Sequence, residues 1–172
     1  MLHPTTAKQN EMMRSEIAPI MMLAPDLTRV VELKSQDTTE VQAFLSVRPV
    51  HTVVMSSFIV DNGIESELNR GKFYGYRNSE GKLEGVALIG HSTLFEARTD
   101  EAIKAFAFKA RISETPIHLI MSAGDAADRF WKYYRPATAA PRLRCEEMLF
   151  EASFPFLVRE CKWNLRVADA SQ

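Results

Sequence analysis

Four histidines, two cysteines and one serine pair are the side chains here whose types could act as metal ligands, bases or nucleophiles, so their spacing is read first. His3, His51, His91 and His118 form no i, i+4 pair and have no flanking glutamate motif, so a metal centre is not expected. His118 lies inside an apolar run and reads as a core histidine. His91, at the end of a hairpin strand where a cleft would open, is the better general-base candidate. Cys145 and Cys161 lack any Cys-x-x-Cys or Cys/His ligand spacing and are too few for a disulfide scaffold. They read as reduced thiols. Ser56-Ser57 lacks the flanking glycines of a nucleophile elbow. Phe73, Tyr74 and Tyr76 on one strand could stack nucleic-acid bases, yet no basic surround accompanies them, and core aromatics are the commoner case. Arg142-Leu143-Arg144 reads as a solvated turn. No residue is assigned as catalytic, cofactor-binding or metal-ligating.

The elements that would position these groups follow from periodicity. Val30 to Leu33 is a short β-prone run, and Asp37-Thr38-Thr39-Glu40 reads as a capping box with Asp37 at N-cap and Glu40 at N3. Val41, Phe44 and Leu45 recur at helical spacing until Arg48-Pro49. A second helix is expected from Pro49, with Val50, Val53, Val54 and Phe58 on its inner face and Asn62-Gly63 as its stop. Lys72 to Arg77 and Leu83 to Gly90 flank a glycine-bearing turn and predict a hairpin whose second strand is buried on both faces. Thr99-Asp100 caps a helix with Ile103, Phe106 and Ala110 inward. Ile117 to Met121 reads as a buried strand. Gly124-Asp125 opens a helix with Ala127, Phe130, Trp131 and Tyr134 inward, and Cys145 to Glu151 reads as a late strand. The expected fold class is therefore mixed α/β, in the order strand, helix, helix, hairpin, helix, strand, helix, strand.

That order resembles the GNAT superfamily of N-acetyltransferases. In detail it is similar to the degenerate amino-terminal domain of two-domain GNAT proteins, through Arg70-Gly71-Lys72-Phe73-Tyr74-Gly75, Leu83-Glu84-Gly85-Val86 and the alanine- and phenylalanine-rich stretch Ala102 to Ala110. The likeness covers roughly residues 30 to 150 and rests on order and spacing. It implies a GNAT-like sheet. An active GNAT domain would hold acetyl-CoA on a Gln/Arg-x-x-Gly-x-Gly/Ala loop, whose bare backbone N–H groups face a pyrophosphate at a helix N-terminus. The corresponding stretch, Ser92 to Glu101, has no glycine and carries Glu96, Asp100 and Glu101. The second family marker, Asn-x-x-Ala-x-x-(apolar)-Tyr, falls on Gly124, Ala127, Phe130 and Trp131, so a tryptophan stands where the resemblance implies a proton-donating tyrosine. The resemblance thus implies the fold and argues against the chemistry in this chain. No cofactor is expected to be bound by it, and acetyl-CoA is expected for a second domain.

Near the end of the sequence, Leu165-Arg166-Val167-Ala168-Asp169-Ala170-Ser171-Gln172 repeats the pattern of Leu33-Lys34-Ser35-Gln36-Asp37-Thr38-Thr39-Glu40. Chance likeness of two short patterns is the alternative. With the family resemblance, the repeat favours a second domain that begins near Trp163. The expected organisation is a flexible tail over 1–25, a GNAT-like domain over 26–152, and a linker with the first strand of a second GNAT-like domain over 153–172. The first 25 residues hold five of the eight methionines, and Pro19 interrupts their one apolar run, so a signal peptide is not expected.

At 172 residues with 46% hydrophobic and 25% charged side chains, the composition excludes disordered, collagen-like and coiled-coil chains. A formal charge of -1 supplies no field that would draw the whole chain onto nucleic acid or anionic lipid. A cytoplasmic location is expected, with no nucleic-acid or membrane partner. The expected function is the amino-terminal half of an N-acetyltransferase-like protein that moves an acetyl group from acetyl-CoA to an amine. This half would be a scaffold or substrate-recognition domain, paired with a second GNAT-like domain or a homodimer partner and open to a small-molecule amine. The alternative is a non-catalytic module of GNAT-like fold that binds a ligand or a protein.

Overall fold

In the computed structural model, residues 25–135 and 140–152 are described. Contacts divide the chain into two units, Met1–Ala140 and Pro141–Gln172. The expected linker over 153–172, and all of the expected tail but Pro25, lie outside the described residues, as does the second copy of the repeat.

Five strands in the first unit form one mixed sheet whose spatial order is the sequence order: β1 (Val30–Glu32), β2 (Gly71–Arg77), β3 (Leu83–Gly90), β4 (Ser92–Ala97) and β5 (Leu119–Met121). The first three pairings are antiparallel and the last, β4 with β5, is parallel. Among the described residues four α-helices accompany it: α1 (Thr38–Leu45), α2 (Pro49–Asn62), α3 (Asp100–Arg111) and α4 (Ala126–Tyr134). The parallel pair needs a crossover, and α3 supplies it. Among the described residues no helix is long and apolar enough to cross a membrane.

Alternation along the strands sends side chains to two separate cores. Phe73, Val86, Leu88 and Leu94 face α1 and α2, joining Val41, Leu45, Met55 and Ile59. Tyr76, Ala87, Ile89 and Phe95 face the other way, joining Ile103, Phe106 and Ala110 of α3 and Phe130 of α4. β3 is the middle strand and is buried on both faces, as its nearly all-apolar run predicts. Its Gly85 sits under α3, where an added Cβ would lie 2.7 Å from the ring of Phe106. The helix approaches the sheet that closely only because the residue beneath it has no side chain.

Five expectations are corrected. Ser92 to Ala97 is a strand, β4, and not part of a long loop; Thr93, Leu94, Phe95 and Glu96 are all buried in it, and three of the four are apolar or β-branched residues suited to a sheet. The α1 capping box is not made. A 3₁₀ turn, Ser35–Asp37, precedes the helix, so the Asp37 carboxylate turns back to the Lys34 N–H at 2.8 Å, while Glu40 reaches Arg77. α2 buries Thr52, Met55 and Ile59, whereas Val53 and Val54 are exposed. The Thr52 hydroxyl can enter the core because it donates to the carbonyl of Leu45 at 2.8 Å. β5 is shorter than expected and not buried: among the described residues it is an edge strand, with Leu119 and Met121 exposed. Cys145 to Glu151 forms no strand; Met148, Leu149 and Phe150 are exposed there, with no ladder partner.

Candidate functional site

The turn from β4 into α3 is where a helix N-terminus meets the carboxyl end of a sheet strand, the place at which open α/β sheets most readily take a ligand. Only Arg98 and Thr99 connect the two elements. Their short span follows from the sequence, because Thr99 is an effective N-cap and Asp100-Glu101 suit a first helical turn. Thr99 Oγ1 accepts the Ala102 N–H at 3.3 Å, and the Thr99 carbonyl accepts the Ile103 N–H at 3.3 Å. The Arg98 N–H donates to the Glu84 carbonyl at 2.8 Å, which prolongs the β3–β4 ladder. Two amides that could have faced an anion, those of Arg98 and Ala102, are thereby committed within the chain.

The first helical residue, Asp100, brings its own negative charge to this end of the helix. Arg129 Nη1 of α4 lies 3.1 Å from one Asp100 oxygen, and the Tyr133 hydroxyl donates to the other. That hydrogen bond, together with burial and the Asp100 charge, pushes the Tyr133 phenol above its ordinary pKa. Arg129 also stands 3.4 Å from Asp125 through Nε. A carboxylate at a helix N-terminus satisfies the partial positive charge there, and here two α4 side chains hold it in place. A pyrophosphate brought to this point would meet Asp100 and Glu101 at close range. The residues present do not fit that group.

Beyond the junction, the β4–β5 ladder stops. Its last pair is Leu94 with Met121, after which β5 ends while β4 runs on to Ala97. The Ser122 hydroxyl donates to the Phe95 carbonyl at 2.8 Å and closes the ladder. On the α3/α4 face of this opening, the Phe95 and Phe130 rings stack with centroids 5.0 Å apart, and Phe130 is fully buried. On the α1/α2 face, Glu96 is 8% exposed and accepts a hydrogen bond from Arg48 Nη1 at 2.9 Å. Burying a carboxylate without such a partner is costly.

Compared with protein-family models, curated proteins and solved structures, the chain matches none. What the site can do is therefore argued from its own residues.

Of the sequence candidates, His91 stands at the N-terminal end of β4, opposite the end that opens, so it is no base for a cleft there. His118 is exposed just before β5 and is not a core histidine; its ring stacks with that of His91 at a centroid distance of 5.2 Å. Phe73 and Tyr76 are buried in the two cores, and Tyr74 is partly buried beneath Lys109, so these aromatics form no nucleic-acid platform. Ser57, with Ser46, Pro49, Val53, Val60 and Asp61, lines a shallow open depression of about 320 Å³ on α2. Trp131 lies against Tyr134, and Tyr133 takes the contact with α3. Cys145 is exposed, and Cys161 lies outside the described residues. Sequence reasoning missed Glu96, Arg48 and the Asp100–Tyr133 contact. For Glu96 a signal existed: an acid directly after the β-prone run Thr93-Leu94-Phe95.

Proposed function

We propose that this chain is the amino-terminal, GNAT-like half of an N-acetyltransferase-like protein, acting as scaffold or substrate-recognition domain. What supports the reading is the junction at α3. A strand, two helices, three antiparallel strands, a crossover helix and a parallel strand follow one another, with one strand more than the expected hairpin and without the expected strand at Cys145–Glu151, while the helix N-terminus that would hold acetyl-CoA carries the chain's own Asp100 under Arg129 and Tyr133. A sheet that keeps this architecture with the anion position filled from within suits a half whose partner performs the transfer. In the whole protein, an amine would attack the acetyl carbonyl of acetyl-CoA held by a second GNAT-like domain, forming an amide as the C–S bond breaks, with CoA leaving as the thiol after taking up the proton the amine loses. This half would help shape the cleft for that amine. The location that goes with this reading is cytoplasmic.

A binding module of the same architecture is the second reading, favoured by the outer face of α2. Val53 and Val60 are 50% and 74% exposed there, beside the shallow depression, and apolar side chains grouped in this way mark protein contact surfaces. The two readings part on the native polypeptide. Intact mass of the protein from its source, read with the reading frame past Gln172, is expected to show a longer species with a glycine-bearing loop after a second strand-and-helix set. A native species of 19.5 kDa with no longer precursor contradicts the two-domain reading and leaves the binding module.

A further inference from the structure

The two histidines that the proposed function leaves unused meet at one place. His91 immediately precedes β4 and His118 immediately precedes β5, and the parallel register pairs Ser92 with Leu119. The two residues are thus neighbours across adjacent strands, about 4.8 Å apart in the hydrogen-bonding direction. Their backbones are pinned, since the His91 carbonyl accepts both the His118 N–H at 2.9 Å and the Leu119 N–H at 3.1 Å. Both side chains are exposed, and their ring centroids lie 5.2 Å apart with planes 21° from parallel.

We propose that His91 and His118 form a two-imidazole site for a borderline divalent cation such as Zn²⁺. Imidazole nitrogens suit Zn²⁺, at bond lengths of about 2.0–2.1 Å, which in a tetrahedral shell sets the two nitrogens about 3.3 Å apart. Ring centroids 5.2 Å apart are compatible with that spacing once the two exposed imidazoles turn out of their stacked orientation. Among the described residues no group of three or more His, Cys, Asp or Glu side chains could hold a metal ion, so water completes the shell and two positions stay open to exchange. The ion would clip the entry of β5 to that of β4. A clip matters there because β5 has only three residues in its ladder and stands at the sheet edge. The inference is independent of any acetyl-transfer role.

The test is a Zn²⁺ titration of the untagged full chain at neutral pH, followed by the NMR signals of the four histidine side chains and by calorimetry. Single His→Gln variants assign the signals, and the exposure of both side chains makes His91→Gln and His118→Gln safe for folding. One equivalent of Zn²⁺ is expected to shift the His91 and His118 resonances together and leave that of His51 in place. Either substitution should weaken binding by more than about tenfold. The proposal is overturned if no binding is detected, if the His91 and His118 signals stay fixed while Zn²⁺ binds elsewhere, or if both variants bind as tightly as the parent.

Discussion

Asp100 is held from two directions, by its own helix and by α4, and this makes it the most informative single residue. Replacing it with asparagine removes the charge that complements the α3 dipole and breaks the Arg129 pair, both partly solvated, so Asp100→Asn should cost about 0.5–1 kcal/mol in denaturant unfolding. The tyrosine titration reports the same contact. The Tyr133 phenol is raised chiefly by its hydrogen bond to Asp100, so its share of stability is present below the ordinary tyrosine pKa and fades as pH rises through the raised value. In Asp100→Asn, one tyrosine of the ultraviolet titration should move down towards the ordinary value; a profile identical to the parent would break the assignment. Gly85 makes a second test at this scale. An added methyl would press on Phe106, which has no exposed surface to retreat into, so Gly85→Ala should destabilise by about 1–3 kcal/mol.

Among the elements, α2 tests how its faces were assigned. Met55→Ala should cost about 2–5 kcal/mol, since Met55 lies in the core between α1, α2 and the sheet. Val53→Glu on the outward side should leave stability within about 0.5 kcal/mol. The reverse ranking would restore the face that the valine spacing predicts. The sequence misleads there because four valines among fourteen helical residues leave little contrast between the faces. The threonine that does turn inward succeeds through hydrogen bonds to backbone carbonyls, which no hydrophobic pattern records. The hairpin, α3 and α4 were legible because glycine turns, an N-cap threonine and inward phenylalanines each act locally. β4 was not, because the acid within its apolar run reads as loop until Arg48, 48 positions away in sequence, supplies the compensating charge. The edge position of β5 was hidden for a related reason: burial of a strand depends on its neighbours, and no strand of the described residues lies outside it. At the site, the missing glycines were readable, whereas the Tyr133–Asp100 contact needed the packing of α4 on α3.

For the molecule as a whole, the carboxylates set the response to acid. Hydrogen bonds from Arg77 hold Glu40 below its ordinary pKa, and those from Lys34 and Ser35 lower Glu32 and Glu65. Depressed acids contribute stability that is complete above their unfolded values and is lost as pH falls through the folded ones. Unfolding midpoints should therefore drop on acidification below about pH 4.5, the ordinary glutamate range. Arg77→Gln, which frees Glu40, should flatten part of that fall while lowering stability at neutral pH. The central claim concerns the filled helix N-terminus. It is tested most directly by titrating acetyl-CoA into the chain in a calorimeter at neutral pH and low salt. The account predicts no saturable heat, because Asp100 and Glu101 repel a pyrophosphate and the Arg98 and Ala102 amides already have acceptors. One-site binding with micromolar affinity would contradict it.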